Sequence, residues 1–247
     1  MLAEERTTRI LSILELEGSV TVARLMDILN ASESTVRRDL NQMDKAGLLT
    51  KVHGGAILDR PRHQSTEENV NSRKLVNIED KMAIAKYAAS LVEPDDFVYI
   101  DAGTTTECMI DCLEQNQASY VTNAVGHAKK LSEKGFRVCL AGGELKSITD
   151  AIVGGACIEF LDRYHFTKGF FGVNGLTPKA GLTTPEPREG TVKKYVMKRC
   201  KDVYVLTDVS KFSTICSIKF GDFTDGQIIT TKLKNKELLE YDNITEV

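Results

Sequence analysis

The chain has 247 residues, room for a small domain beside a large one. Apolar residues make up 42% and charged residues 27%, which supplies a sizeable core and excludes an intrinsically disordered chain. Thirty-two Lys and Arg against 35 Asp and Glu leave a formal charge of −3, which argues against a surface that coats nucleic acid or anionic membrane along its whole extent.

Of the six cysteines (108, 112, 139, 157, 200, 216), only Cys108 and Cys112 are close, one helical turn apart. The four histidines, at 53, 63, 127 and 165, do not cluster with each other. This spacing makes neither a zinc nor any other metal site, and no cofactor is expected. The thiols read as buried and reduced, as in a cytosolic protein. The N-terminus is charged and has no signal-peptide pattern, and no apolar run approaches the ~20 residues of a membrane span. A cytoplasmic protein without membrane contact is expected.

Charge is unevenly spread. Residues 1–33 carry three Arg against six acids, whereas residues 34–62 carry six Lys and Arg against three Asp. A polyanionic partner should therefore meet the chain within about thirty residues, net +3.

In chain order, Ile10, Leu11 and Leu14 recur at helical spacing from Glu4 to Glu17, and Gly18 ends the run. Thr21 is an N-cap candidate for a short helix carrying Val22, Leu25, Met26 and Leu29. Asn30-Ala31 makes a tight turn, and Ser32 caps a third helix with Val36, Leu40 and Met43 on one face; Gly47 stops it. Two strand-like runs follow, Leu48–His53 and Ala56–Leu58, joined by a two-residue turn placed at Gly54-Gly55. Residues 59–80 have little to bury and read as an exposed linker. Beyond them, strands Phe97–Ile100, Tyr120–Thr122, Arg137–Ala141, Lys168–Val173 and Val203–Leu206 alternate with helices Met82–Val92, Thr105–Leu113 and Ala124–Lys134. Such alternation implies an α/β open sheet, mostly parallel, with helices on both faces. The expected domains are 1–58, a winged helix-turn-helix; 59–80, a linker; and 81–247, an α/β domain.

With its apolar face inward, the third helix turns Ser34, Thr35, Arg37, Arg38 and Asn41 outward or to the flanks, where hydroxyls and guanidinium groups can meet phosphates and base edges. Lys51, His53, Gly54 and Gly55 would form a basic hairpin tip against the neighbouring backbone or minor groove. The alternative is a solvated helix with Arg37 and Arg38 paired to Glu33 or Asp39. The run Ser32-Glu-Ser-Thr-Val-Arg-Arg-Asp-Leu40, followed by Gly47-Leu-Leu-Thr-Lys-Val-His-Gly-Gly-Ala56, resembles the DNA-binding domain of the DeoR family of bacterial transcriptional regulators. The resemblance implies operator binding, usually as a repressor of carbohydrate or nucleoside catabolism genes.

In the second half, Phe97-Val-Tyr-Ile-Asp-Ala-Gly-Thr-Thr-Thr106 sets a buried strand directly before a turn that opens a helix. Free N–H groups there, with the hydroxyls of Thr104, Thr105 and Thr106 and a close backbone approach at Gly103, form a phosphate cradle; a merely well-capped helix is the alternative. Other strand ends offer Asp101 and Asn123 for sugar hydroxyls, Gly142-Gly143 as a turn, and Lys211 for a phosphate. Asp-Ala-Gly-Thr-Thr-Thr106, Thr122-Asn-Ala124, Ala141-Gly-Gly-Glu-Leu-Lys146 and Gly181–Lys193 resemble the DeoR-family sensor domain, similar in fold to ribose-5-phosphate isomerase. By position, the resemblance implies effector contacts at Asp101, Gly103, Thr104, Thr105, Asn123, Gly142, Gly143, Glu189 and Lys211. Gly190 departs from the family's Glu-Ala pattern, which should loosen the helix start.

An isomerase-like enzyme with an appended DNA-binding domain is the competing reading. The related enzymes carry an acidic pair where this chain has Asn174, whose amide cannot act as a general base. No catalytic residue is therefore assigned. The resemblance to fructose-operon regulators suggests fructose 1-phosphate as effector. Helix-turn-helix proteins read palindromic or repeated operators as oligomers, so a homodimer or homotetramer is expected.

Overall fold

A computed structural model describes residues 3–46, 48–57, 62–64, 69–114, 117–233 and 235–247. Gly47, Leu58 and parts of the expected linker lie outside the described residues. The chain divides into two compact units, Met1–Arg62 and His63–Val247.

The first unit contains α1 (Ala3–Glu17), β1 (Ser19–Thr21), α2 (Val22–Leu29), α3 (Glu33–Lys45), β2 (Thr50–Val52) and β3 (Gly55–Ile57). Its local signals act as expected. The Thr21 hydroxyl accepts from the Arg24 N–H at 3.2 Å, and the Ser32 hydroxyl accepts from the Thr35 N–H at 3.3 Å, capping α2 and α3. Asn30 turns the chain in the left-handed region at φ 47°. Ile10, Leu14, Leu25, Val36 and Leu40 are fully buried together. An Arg6 fork clamps α1 to α3: its Nε and Nη2 donate to the Asp39 carboxylate at 2.6 and 3.0 Å.

The hairpin differs from expectation by one residue. Val52 pairs with Gly55, so the two-residue turn is His53-Gly54, with Gly54 at φ 84°. Gly55 lies in β3, which also pairs with β1, a strand the apolar pattern did not reveal in three residues.

At the boundary lies β4 (Arg62–Gln64), and the second unit then runs α4 (Val70–Lys74), α5 (Ile78–Ser90), β5 (Phe97–Ile100), α6 (Thr104–Cys112), β6 (Ser119–Thr122), α7 (Val125–Glu133), β7 (Arg137–Leu140), β8 (Glu144–Lys146), β9 (Ala151–Val153), α8 (Gly155–Leu161) and β10 (Phe166–Gly172). It continues through β11 (Gly175–Thr177), β12 (Gly181–Thr184), α9 (Pro187–Met197), β13 (Cys200–Leu206), β14 (Thr214–Cys216), β15 (Ile218–Gly221), β16 (Gln227–Thr230) and β17 (Ile244–Glu246). The segment read as an exposed linker thus carries α4 and the start of α5, and Val70 is buried. Val70 has no apolar residue three or four positions away on either side, so it gives no helical periodicity to detect.

Seven parallel strands form the central sheet in the order β17-β16-β13-β10-β5-β6-β7. Alternation along each strand sorts side chains into two layers. Val98, Ile100, Tyr120 and Phe170 pack with Ile84, Met109 and Leu131 from α5, α6 and α7. Tyr99, Val121, Phe171 and Val205 pack on the other face with Leu161 and Val196 from α8 and α9. The α/β open sheet with helices on both faces is as expected.

From β5 the chain order runs outward through β6 and β7, whereas β10, β13, β16 and β17 run the opposite way. The reversal lies between β5 and β10, and in open parallel sheets ligands bind beyond the carboxyl ends of the strands at such a point.

All six cysteines are free; Cys157 and Cys216 are buried, but Cys139 on the edge strand β7 is exposed, contrary to the uniform burial expected. Among the described residues no helix is long and apolar enough to cross a membrane, and no cluster of His, Cys, Asp and Glu is arranged to hold a metal.

Candidate functional site

In the first unit, α3 turns Ser34, Arg37, Arg38 and Asn41 to solvent and keeps Thr35 half-buried. Arg37 pairs with Glu33 at 2.7 Å, whereas Asp39 is committed to Arg6. An exposed i,i+4 pair contributes only ~0.3–0.5 kcal/mol, so Arg37 exchanges it readily for a phosphate or base. Lys51 donates from Nζ to the Asn41 side-chain oxygen at 2.7 Å, and its backbone N–H donates to Asp44 at 3.0 Å. The first wing strand is thereby pinned to the exposed face of α3. His53 and Gly54 are exposed at the turn, but Gly55 is buried and presents nothing to a partner.

In the second unit, a narrow cleft, open to solvent, lies at the carboxyl ends of β5 and β10. The start of α6 forms one wall. Gly103 is the N-cap residue and contributes no side chain, so the first N–H groups of the helix have no side-chain cap. Thr104 and Thr105 line the cleft with these amides. Gly103 itself has φ −176°, an extended backbone open to any residue, so the close approach expected there is not a matter of dihedral freedom.

Lys211 and Glu189 face the cleft from other elements, but Thr106 does not: its hydroxyl donates to the carbonyls of Asp101 and Gly103, at 2.7 and 2.9 Å. Asn123 is buried and is committed to structural bonds. It accepts from the Tyr99 hydroxyl at 3.0 Å and the Ala102 N–H at 3.2 Å, and donates to the Ile152 carbonyl at 3.0 Å. Gly142 and Gly143 are exposed where β7 turns into β8, outside the cleft lining. Gly190 is crowded rather than loose, since a Cβ there would come within 2.9 Å of an Ile218 methyl.

Sequence reading missed three cationic contributors to the lining, Arg73, Lys81 and Lys193, which join Asp208 at the end of β13. Lys193 is buried one turn after Glu189, and its ammonium pairs with the Asp101 carboxylate, which also accepts the Gly172 N–H at 3.0 Å. Asp101 thus supports the floor of the cleft. Burial pushes its carboxyl upward against the pull of Lys193. For Glu189 burial acts in the same sense but is outweighed: Lys193, the Thr149 hydroxyl at 2.5 Å and Lys146 at 3.2 Å hold its carboxyl below the usual range. Lys81, buried and donating to the Arg73 carbonyl, is lowered by desolvation, with Asp208 opposing. The result is a mixed-charge cavity with an uncapped helix start at one end. Such a cavity can hold a phosphate at the helix and hydroxyls along the carboxylate–lysine floor.

Below the helix start lies His127, its Nε2 3.2 Å from the Gly103 carbonyl. Burial pushes its pKa from 6.5 down to about 4, so the folded ring is neutral at pH 7. Because the folded pKa is depressed, its contribution to stability is full above pH 6.5 and is lost as pH falls toward 4, by on the order of 3 kcal/mol. Urea unfolding at pH 7.5 and 4.5 should show His127→Gln losing correspondingly less stability than the wild type. Equal pH slopes would contradict a buried neutral imidazole.

Residues 6–62 match the DeoR-like helix-turn-helix domain, and residues 76–232 match the DeoR C terminal sensor domain. The chain belongs to the DeoR family. It is 41% identical to the uncharacterized HTH-type transcriptional regulator FruR of Bacillus subtilis, over the whole of this chain and 96% of that one. It is 34% identical to the lactose phosphotransferase system repressor of Streptococcus mutans, over 97% of this chain and 96% of the relative. Among solved structures it is similar to ribose 5-phosphate isomerase A of Methanocaldococcus jannaschii, at 18% identity and a TM-score of 0.42 over 55% of each chain. The full-length sorbitol operon regulator SorC of Klebsiella pneumoniae is similar at 13% identity and a TM-score of 0.43, covering 95% of this chain and 99% of that one. This DeoR-family chain therefore joins a DNA-binding domain to a sensor domain.

Proposed function

We propose that the protein is a sequence-specific repressor of a carbohydrate catabolism operon, gated by a phosphorylated sugar held in the cleft between β5 and β10. The observation that carries this reading is the uncapped α6 start opening onto a cleft with several cations, in a chain that also bears a winged helix-turn-helix. The 34% identical relative named as a lactose phosphotransferase system repressor supports the sugar-operon class. The phosphate meets the Thr104 and Thr105 amides and hydroxyls and Lys211, while Glu189 and Lys193 meet sugar hydroxyls. Fructose 1-phosphate is the first effector to test. A homodimer or tetramer acts on the operator.

A thermal-shift panel of hexose and pentose phosphates tests the cleft, since a ligand of the folded state raises apparent stability by mass action. A phosphorylated sugar should stabilise the protein while its unphosphorylated counterpart does not. Each charge-assisted hydrogen bond is worth ~1.5–3 kcal/mol, so Lys211→Ala and Thr105→Ala should each weaken binding roughly tenfold or more. Their unliganded operator affinity should be unchanged. Retained ligand affinity in both variants would place the ligand elsewhere.

Catalysis is not expected. Asn174 lines the cleft with an amide, and Glu189, held ionised by its partners, is a weak base. NMR of sugar phosphates incubated with the protein should show no aldose–ketose conversion above the buffer control; conversion abolished by Glu189→Gln would favour the enzyme.

On the DNA side, Arg37→Ala and Arg38→Ala should each weaken operator binding by ~1–3 kcal/mol where the side chain reads a base. A side chain that touches phosphate alone should instead lower the salt slope by about one and weaken all sequences alike. Anisotropy titrations against operator and scrambled duplexes separate the two, and unchanged affinity in both variants would remove α3 as the reading helix.

A further inference from the structure

Between the helix-turn-helix match, which ends at residue 62, and the sensor match, which begins at 76, lie thirteen residues that neither domain match covers. This stretch nevertheless supplies a wall of the effector cleft: Arg73, in the last turn of α4, lines the same cavity as Thr104, Thr105 and Lys211. The Arg73 Nε is buried and has no hydrogen-bond partner among the described residues. An arginine held with a buried, unpaired donor is costly unless something supplies the acceptor. A phosphate at the α6 start offers three acceptor oxygens in the geometry a guanidinium fork matches.

The segment that carries this arginine is lightly held. Its backbone bonds are long, 3.3 Å from the Arg73 N–H to the Asn69 carbonyl and 3.4 Å from the Val76 N–H to the Arg73 carbonyl. It is fixed to the rest of its unit by the Val70 N–H on the Ile148 carbonyl at 3.0 Å, by Lys81 on the Arg73 carbonyl, by Lys74 on Glu107 at 2.9 Å, and by the Asn77 side-chain amide on the Asp208 carboxylate at 3.0 Å. Leu75, the residue after Lys74, is 85% exposed. Few buried contacts and weak backbone bonds mark a segment of low local stability, the kind that a ligand orders.

We propose that Arg73 is an effector-phosphate ligand, and that through it the bound anion orders residues 70–77, the stretch leading from the DNA-binding unit into the sensor. Occupancy of the cleft is thereby expressed near the start of the second unit, in the helical segment closest in sequence to the DNA-binding unit, with no change required in the central sheet. The inference rests on the cleft being the sugar-phosphate site and adds the residue that makes occupancy legible outside it. Lys81 has a second role in this arrangement: it fixes the carbonyl of the same residue whose guanidinium meets the phosphate, so the two basic groups act on one short helix.

The test uses the full chain, inorganic phosphate, and the sugar phosphate giving the largest thermal shift. Hydrogen exchange of amides 70–77, calorimetric affinity and operator affinity are measured for the wild type, Arg73→Ala, Arg73→Lys and the charge-matched exposed control Lys86→Ala. The wild type should show at least tenfold slower exchange across 70–77 when saturated. Arg73→Ala should bind the sugar phosphate at least tenfold more weakly. At saturation it should show neither the slowed exchange nor the change in operator affinity, while its unliganded melting temperature and operator affinity match the wild type. Arg73→Lys should recover part of the affinity, and Lys86→Ala, which removes an exposed cation that neither lines the cleft nor anchors residues 70–77, should behave as wild type toward both ligands. Wild-type affinity, exchange and operator response in Arg73→Ala would overturn the role of Arg73 and leave the cleft assignment standing. A wild-type protein that binds none of the sugar phosphates would overturn the cleft assignment and this inference together.

Discussion

Lys193→Ala should destabilise the C-terminal unit by about 3–5 kcal/mol, because it strands the Asp101 carboxylate in the interior without its cation. The ammonium also donates to the Gly172 carbonyl at 3.1 Å, so the deletion additionally frees the end of β10. The pair joins α9 to the two strands on either side of the switch point, and its loss should deform the cleft as well as the fold. Replacing both partners by apolar residues of similar size, Lys193→Met with Asp101→Leu, should cost much less than the two single changes added together. Chemical denaturation of the four proteins gives the cycle. Additive losses would show that the two groups do not stabilise each other.

The second large effect belongs to the wing. A Cβ on Gly55 would lie well inside van der Waals contact with the Val20 carbonyl oxygen and only 3.1 Å from the Thr21 Cα. Both obstacles are backbone, and Thr21 is the β1 partner of Gly55, so relief requires the β1–β3 pairing to open. Gly55→Ala should cost at least the upper end of the ~1–3 kcal/mol typical of overpacking. In a unit of about sixty residues, where stability is marginal, that should abolish operator binding while the sensor still takes its ligand. Gly54→Ala is the contrast. Its strain is dihedral only, at φ 84° with open space around the new carbon, and it should cost about 1–2 kcal/mol. Equal melting temperatures for the two variants would mean that β3 does not press against β1 as described.

That glycine pair also shows where sequence reading reaches its limit. Two adjacent glycines between strand-like runs signal a tight turn, but either can occupy the left-handed position. The choice is made by β1, a three-residue strand whose pattern is too short to see, and it moves Gly55 from the tip into the sheet. The capped helices α2 and α3 were legible because Thr21, Ser32 and the apolar spacing are local signals. The parallel sheet was legible because its strands are short apolar runs separated by amphipathic helices.

The cleft was legible only in part, for a geometric reason. The motifs mark the ends of strands, and every such end points toward the crevice in a parallel sheet, but Thr104–Thr106 already belong to the helix that follows, whose successive side chains point about 100° apart. Thr104 and Thr105 therefore line the cavity, whereas Thr106 turns back to the Asp101 and Gly103 carbonyls. Asn123 follows a strand end and spends its amide joining β5, β6 and β9. The missed contributors come from the helices α4, α5 and α9, where Arg73, Lys81 and Lys193 look like ordinary solvated cations until the sheet brings them together. Lys193 did carry one signal, its i,i+4 spacing from Glu189, which puts both on one face of a helix.

In the proposed function, a sugar phosphate in the C-terminal cleft controls DNA binding by the N-terminal unit. The most direct measurement is the operator affinity of the full chain with and without a saturating sugar phosphate, at fixed salt, using a duplex selected by the protein from random sequence. Coupling between two sites is typically ~1–3 kcal/mol, so affinity should change by roughly 5- to 150-fold, and the unphosphorylated sugar should leave it unchanged. Equal operator affinity with and without a sugar phosphate that demonstrably occupies the cleft would contradict the account.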